Sequence, residues 1–241
     1  MRKILPIILI LTFFTGCVSS EKLLQQGNYQ QAIDKAFKKV GANPKDSKQI
    51  AVLRKALKLA DQQDMDAIKQ LQLDGNQASS PRIYRHYLLL KQRQEKIQRL
   101  PDVVLHKINF KPIDYNLILA ESKKAAADYY HNEALRLLAT QDMYDARKAY
   151  YLLKEEKNLF PGTPEIDNQL TEALDAGTVH VLFEVENASS QELPQAFTDE
   201  LYRINPGSIN QNWIQLDTYP VKNRFYQYLV KLSIMRIHIG P

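Results

Sequence analysis

The chain has 241 residues, 44% of them hydrophobic, so it is long enough for one large or two ordinary domains with a buried core. Its formal charge is +5 at pH 7 and becomes +3 if Arg2 and Lys3 are removed with an N-terminal leader. That charge is too small to favour a nucleic-acid-binding protein. Because there is only one cysteine, an intrachain disulfide is excluded and stability must come from packing.

The first 20 residues have the order of an export signal. Arg2 and Lys3 precede an apolar run over residues 4–14, which ends shortly before Cys17. A membrane-spanning helix needs roughly 20 apolar residues, so this run is too short for one. No later segment reaches that length without charges. We therefore predict a signal peptide over residues 1–16 that is removed on export.

The end of this leader, Phe14-Thr15-Gly16-Cys17, resembles the lipobox of bacterial lipoproteins, although leucine is usual where Phe14 stands. The resemblance implies that Cys17 is diacylated with palmitate-type chains and becomes the new N-terminus. More than one acyl chain gives stable anchoring. Val18 follows where an aspartate would be the retention signal of enteric-type sorting, which implies the outer membrane, at its periplasmic face or the cell surface. The alternative is an ordinary secretory signal with a cysteine there by chance.

Residues 20–176 show helical periodicity interrupted by loops. Good N-cap types, Asp46 and Ser47, precede apolar residues at helical spacing, namely Ile50, Leu53, Leu57 and Ala60. A second helix over residues 81–100 has one apolar stripe, made of Ile83, Tyr87, Leu90 and Ile97. A later helix, 163–176, has Thr163 as its cap, Pro164 at its first position and Gly177 as its terminator.

A short sequence echo suggests internal repetition. Residues 63–67 return as 141–146, each beginning with Gln-Asp-Met, and residues 27–33 occupy a comparable place earlier. The distance from Ala32 to Ala67 is close to the ~34-residue period of tetratricopeptide repeats. Gly27, Tyr29, Ala32 and Pro44 resemble the turn and second helix of such a repeat. The resemblance covers two or three degenerate units before Pro161, and residues 100–112 have no place in it. The alternative is a set of ordinary helical hairpins with an alanine seam.

After Gly177 the hydrophobic period changes to two, which indicates strands. Val179, Val181, Phe183 and Val185 alternate with mostly polar residues, a short helix with Phe197, Leu201 and Ile204 on one side follows, and 213–217 and 226–234 are further strands. The order is β-α-β-β. A long apolar strand ending near Gly240-Pro241 would be a hazardous sheet edge, so we expect either further residues or a partner strand beside it.

The sequence holds few signs of chemistry. It has no phosphate-binding glycine loop, nucleophile elbow or paired-cysteine zinc spacing, and its five histidines are far apart. Glu184 and Glu186 share a strand face, but a solvated face is a better interpretation than an acid–base pair. The basic residues between Arg82 and Arg99 are interpreted as a solvated helix surface, and the doublets Tyr129-Tyr130 and Tyr150-Tyr151 as core aromatics. We predict no metal, no cofactor and no catalytic residues.

Together these features predict an α+β protein with three parts: a leader over 1–16, a helical tetratricopeptide-like domain over 17–176, and a small α/β module over 177–241. The whole chain resembles the tetratricopeptide-like lipoproteins of Gram-negative envelopes, notably those of Bacteroidota. That resemblance implies a non-enzymatic adaptor or scaffold that binds an envelope protein. The alternative is a ligand-binding or catalytic α/β module carried on a helical spacer. Because Gly27 follows Cys17 so soon, we also expect the helical body to lie against the bilayer without a long tether.

Overall fold

A computed structural model describes residues 18–203 and 213–238. In that part of the chain the helices are α1 Ser20–Gln25, α2 Tyr29–Ala42, α3 Ser47–Leu73, α4 Ser80–Ile97, α5 Asp102–Ile108, α6 Asn116–Leu138, α7 Met143–Leu159, α8 Pro164–Gly177 and α9 Gln195–Leu201. The strands are β1 Val179–Asn187, β2 Ile214–Asp217 and β3 Tyr228–Ile234. The protein is therefore mostly helical with a small sheet, as the predicted α+β class requires. No helix among the described residues is long and apolar enough to cross a membrane.

The chain forms two compact units, residues 1–123 and residues 124–241, and the division falls within α6. The second unit therefore contains α7 and α8 as well as the sheet. The expected change from helix to strand does occur near residue 177, because α8 ends at Gly177 and β1 begins at Val179.

The core of the first unit is built where α2 and α3 pack closely. Small residues on both helices, Ala32, Ala36, Ala56 and Ala60, are almost completely buried. They are spaced four residues apart, so on each helix they lie on one face. Side chains without bulk let the two backbones approach, and Ile33, Val40 and Leu53 fill the space around them. Both interpretations of the helical region, tetratricopeptide-like units and ordinary hairpins, contain such an alanine seam, so the contact fits either.

The helix lengths do not follow the sequence echo. Residues 63–67 lie in the interior of α3, which continues unbroken for 27 residues, whereas the matching Asp142 is the N-cap of α7 and accepts hydrogen bonds from the backbone N–H groups of Tyr144 and Asp145. The two copies thus occupy different positions in their helices. The echo alone therefore does not mark a structural repeat.

Residues 100–112, which had no place in the repeat pattern, form α5 and the extended chain after it. Val104 and Ile108 of α5 are buried in the same core as α2 and α3. Asn109 ends this helix in the left-handed conformation, with φ 57°. Asparagine tolerates this region better than most residues. The chain therefore leaves α5 sharply and returns along the surface of the unit.

The first helix is less than two turns long, close to the expected two turns, and is fixed to the body at its first residue. Ser20 is completely buried, and its hydroxyl donates a 2.7 Å hydrogen bond to the Gln49 side chain of α3. The Gln49 amide in turn donates to the Glu21 carboxylate at 2.8 Å. Ser20, three residues after Cys17, is thus already part of the packed body.

The second unit has its own helical core and a parallel sheet. Leu153 of α7, Ile166 and Ala173 of α8 and Ala134 of α6 are buried together. The strand order is β2-β1-β3, and both outer strands run parallel to β1. The predicted β-α-β-β order is confirmed. Val181 pairs with Leu216 on one side and with Tyr228 on the other, so most apolar residues of the three strands share one face, whereas Leu182 and Leu229 lie on the other.

That apolar face is only partly covered by described residues. Phe183 at its centre is buried, and the ring of Tyr202, which follows α9, lies edge-on to it with 6.1 Å between the ring centres. In contrast, Val230 and Leu232 of β3 are exposed. In the described part of the chain β3 is an edge strand, which agrees with the expectation of an open sheet edge.

The C-terminal glycine of α8 gives a test of this packing. A Cβ at Gly177 would lie 2.7 Å from the Trp213 ring and 3.0 Å from the Arg147 side chain. We expect Gly177→Ala to lower the free energy of unfolding of the second unit by about 1–3 kcal/mol through overpacking. Urea unfolding followed by the fluorescence of Trp213, the single tryptophan, measures it.

Gly41→Ala in α2 is the matched control, because a Cβ at Gly41 would meet no neighbouring group within 4 Å. Helix propensity should there keep or raise stability by up to ~1 kcal/mol. Equal urea midpoints for Gly177→Ala and the unaltered chain would contradict the close contact with Trp213.

Candidate functional site

The best-formed cavity of the first unit is a cleft of about 430 Å³ between α3, α4 and the chain that follows α5. Residues spaced at i, i+3, i+4 and i+7 line it on both helices: Arg54, Leu57, Lys58 and Asp61 on α3, and Leu90, Arg93, Gln94 and Ile97 on α4. This spacing places each set on one helical face. The apolar part of its surface is made by Leu57, Leu90, Ile97, Ile108 and Phe110. We call this cavity the helical cleft.

One wall of the helical cleft is an extended segment, residues 109–115, whose backbone is bound by the Gln94 side chain at Ile113. The Gln94 amide donates to the Ile113 carbonyl oxygen at 2.8 Å, and its oxygen accepts from the Ile113 N–H at 2.7 Å. These two bonds satisfy both backbone groups as a neighbouring strand would. The wall therefore stays in place although it has no regular structure of its own.

The lining of the cleft also includes a buried arginine, Arg93. The Arg93 side chain is only 6% exposed, and its guanidinium donates to Asp61 at 2.6 Å, to Asp64 at 2.7 Å and to Gln30 at 3.2 Å. The second oxygen of Asp64 contacts His86 Nδ1 at 2.8 Å. The network joins α2, α3 and α4. Because burying a cation without a partner lowers the stability of the fold, both aspartates are needed to compensate the charge of Arg93.

Burial shifts the pKa of two side chains that line the cleft, Asp61 and Tyr115. Burial raises the pKa of the Asp61 carboxyl above its ordinary range, although the hydrogen bond and the charge of Arg93 act in the opposite direction. Burial also raises the pKa of the Tyr115 hydroxyl, with a smaller contribution from the charge of Asp61.

The rim of the helical cleft is cationic. Arg54, Lys58 and Lys111 are exposed there, and none of them has an ion-pair partner among the residues that the structure describes. An apolar floor surrounded by such cations suits a ligand with apolar side chains and negative charge. No described residue that lines the cleft is a nucleophile poised beside a base.

The second unit has a shallower groove of about 770 Å³ at the open part of the apolar sheet face. Val179, Val181, Ile214 and Tyr228 form its floor, and Tyr144, Arg147 and Trp213 form its wall. The Arg147 guanidinium lies 5.3 Å from both the Tyr144 and the Trp213 ring centres, which is a cation–π distance.

Glu184 and Glu186, the carboxylate pair suggested by the sequence, lie on the opposite face of β1 from this groove. Glu186 is half exposed and pairs with Lys231 at 3.4 Å, and the Ser233 hydroxyl donates to it at 3.2 Å. The exposed salt bridge between Glu186 and Lys231 matches the interpretation as a solvated strand surface.

The histidines of the described chain do not converge. His86, His131 and His180 each contact one carboxylate, that of Asp64, Glu156 and Asp175 respectively. Within residues 18–203 and 213–238 no group of three His, Cys, Asp or Glu side chains is placed to hold a metal ion. Of the tyrosine doublets, Tyr150 packs on the α7–α8 core and Tyr151 is exposed, and both contact Trp213 edge-on.

The basic helix surface also divides between core and solvent. Tyr87 is buried in α4 and Tyr84 packs beside it, whereas Arg82 and Arg85 are exposed. The predicted lipidation residue, Cys17, lies outside the described residues, as does Ile204.

Sequence reasoning missed the Arg93 network and the wall formed by residues 109–115. A signal was present, because Arg93 falls between Leu90 and Ile97 on the apolar stripe of α4. Asp64 likewise falls between Ala60 and Ile68 on the buried face of α3. A charge at a core position indicates a buried pair, and here each charge has its partner on the other helix.

Comparisons with known proteins give no family. No protein-family model matches the chain, and neither a curated protein nor a solved structure matches it significantly.

The Arg93 network gives a stability prediction. Arg93→Met keeps the apolar stem but leaves the carboxylates of Asp61 and Asp64 without their cation, and we expect a loss of about 3 kcal/mol in the free energy of unfolding. Urea unfolding followed by circular dichroism at pH 7 measures it. In the control Glu95→Gln, only the exposed Lys91–Glu95 pair at 3.8 Å is lost, so the change should stay below ~0.5 kcal/mol. Similar losses in the two variants would refute a structural role for the buried arginine.

Proposed function

We propose that the chain is a lipid-anchored envelope protein, attached through Cys17, that binds a segment of a partner protein in the helical cleft and catalyses no reaction. The observation that carries this proposal is the cleft itself, which has an apolar floor and, among the described residues, unpaired cations at its rim. A cavity of this kind gains affinity from burying apolar side chains and orientation from its charges. The outer membrane is the proposed location.

The anchoring part of the proposal is supported by the lipobox resemblance of residues 14–17 and by the burial of Ser20, three residues after Cys17. The adaptor part is supported by the packing of α2 on α3 and by the cleft that α3 and α4 line together with residues 108–115. We propose that these hairpins are degenerate tetratricopeptide-like units, with α5 added between them and α6.

A second candidate function is ligand binding by the α/β part of the second unit. The groove in which Arg147 lies between the rings of Tyr144 and Trp213 is the better candidate site for this function. Glu184 and Glu186 are the poorer candidate, since neither of them lines this groove. A small molecule with a flat or apolar body would suit this groove.

Lipid attachment can be tested in cells that express the full chain and are fed labelled palmitate. We expect label on the unaltered chain and retention in the membrane fraction, and loss of both in Cys17→Ala, because the chain has no other cysteine to acylate. Equal labelling of Cys17→Ala would show that the thiol is not the attachment site.

Partner binding can be tested by placing a photo-cross-linking amino acid at one exposed position in intact cells. We expect a defined adduct from position 54 at the cleft rim and none from position 82 on the exposed surface of α4. Reversing one rim charge, Lys58→Glu, should weaken the adduct by roughly fivefold, which corresponds to about 1 kcal/mol.

Lys69→Glu, which has the same charge change on the same helix, is the control for the cross-linking experiment. An adduct that is as strong from position 82, or one that Lys69→Glu weakens equally, would contradict the cleft as the binding site.

A further inference from the structure

The described chain begins in contact with α2. The Lys35 ammonium donates a hydrogen bond to the carbonyl oxygen of Val18, and Val18 is bonded directly to Cys17. Ser20, two residues later, is already buried. Any acyl group on Cys17 would thus be attached beside the C-terminal half of α2 and the start of α3.

Five lysines lie around this point, and we call them the basic end. On α2, Lys35, Lys38 and Lys39 are spaced i, i+3 and i+4, so they share the face that contacts Val18. Lys45 lies in the turn between α2 and α3. Lys48, in the first turn of α3, is 3.5 Å from Glu21 of α1. Cations therefore stand on both sides of the place where the described chain begins.

Three acidic residues of the same region, Glu21, Asp34 and Asp46, lower this charge but do not cancel it, because they are fewer than the five lysines and Asp34 is paired with Lys96 of α4. Hydrogen bonds from its own backbone N–H and from Ser19 lower the pKa of Glu21 to about 2. Asp46 caps α3 by accepting from the Gln49 N–H at 3.0 Å. Asp34 pairs with Lys96 of α4 at 2.7 Å. By contrast, Lys38, Lys39 and Lys45 are exposed.

Distance decides whether a membrane would act on these charges. Only Val18 and Ser19 separate Cys17 from Ser20, the first buried residue of the described chain, and these three extended steps reach about 10 Å. The Debye length at physiological ionic strength is about 8 Å. A body attached through Cys17 would therefore hold its basic end at about one Debye length from the lipid surface, where the charge of that surface is only partly screened.

We propose that the basic end binds the anionic phospholipid headgroups of the membrane in which the chain is anchored, and so sets the orientation of the first unit on that membrane. This inference rests on the proposed anchoring at Cys17. The headgroup phosphates are the ligands, and Lys38, Lys39 and Lys45 are the main contacts. The lipid anchor supplies attachment, and the lysines select which side of the first unit faces the bilayer.

The test uses residues 18–241 without acyl chains, so that its outcome does not depend on lipidation. This segment includes every described residue of both units. Binding is measured by flotation with vesicles of phosphatidylcholine alone and of phosphatidylcholine mixed with phosphatidylglycerol. We expect binding to the anionic vesicles only, weakening as salt is raised. The triple variant Lys38→Gln, Lys39→Gln, Lys45→Gln should lose roughly 100-fold in partitioning, at about fivefold for each lysine.

The control removes three charges near the far end of α3, with Lys69→Gln, Arg82→Gln and Arg85→Gln. Lys69 lies about 30 Å along the helix from Lys48, so these changes should leave vesicle binding within twofold. Thermal unfolding by circular dichroism confirms that both triple variants are folded. Equal binding to neutral and anionic vesicles, or equal losses in the two triple variants, would overturn the proposal.

Soluble polyglutamate separates a lipid from an acidic protein as the ligand. If the unaltered chain ignores anionic vesicles but binds polyglutamate through the same three lysines, the basic end serves a protein and the proposal is wrong. Palmitate labelling reports separately on the anchor. A chain that is labelled but whose unacylated form does not bind vesicles retains the proposed function and loses only this inference.

Discussion

The first unit depends on the burial of one cation. Arg93 is removed from water on α4, and α3 supplies the two carboxylates that compensate it, from Asp61 and Asp64 one turn apart. A shift of α4 along α3 by one turn would leave Arg93 with at most one of these two carboxylates. Hydrophobic contacts between Leu90, Ile97 and Leu57 could adapt to such a shift, but the charge pair could not. The ion pair therefore fixes the register of the two helices, and with it the shape of the cleft that they line.

The second unit solves a different packing problem. A parallel sheet is normally covered on both faces, yet three strands and the short α9 cannot do this alone. The strands are staggered, because β2 pairs with residues 179–182 of β1 whereas β3 pairs with residues 181–187. Tyr202 covers the apolar face near Phe183, and the Tyr202 hydroxyl accepts a hydrogen bond from the Val185 N–H. The other end of the face is left to Trp213 and the groove beside it.

Sequence patterns predicted those structural features, such as helix ends and strand alternation, that depend on residues close together in the chain. The start of α3 after Asp46, the end of α8 at Gly177 and the alternation of β1 follow from local capping and burial. They did not predict α5, since its two core residues, Val104 and Ile108, are too few to show a period. They also could not predict that both outer strands run parallel to β1. Strand direction and the partners of Arg93 depend on which distant segments meet, and one sequence does not record that.

The two candidate sites divide in the same way. A local motif was enough to suggest Cys17 as the proposed lipidation residue, whereas the cleft is assembled from α3, α4 and residues 109–115, which are distant in the chain. Proximity connects the two. Arg54 and Asp61 lie 7 and 14 residues after the start of α3, so the cleft begins roughly 10–20 Å along the helix from the end that carries Val18. If that end rests on a bilayer, a partner segment must enter the cleft close to the headgroups. Orientation then matters as much as affinity, because a first unit tilted onto the wrong side would close the cleft against the membrane. A basic end that selects one side would keep the rim cations Arg54, Lys58 and Lys111 available to the partner.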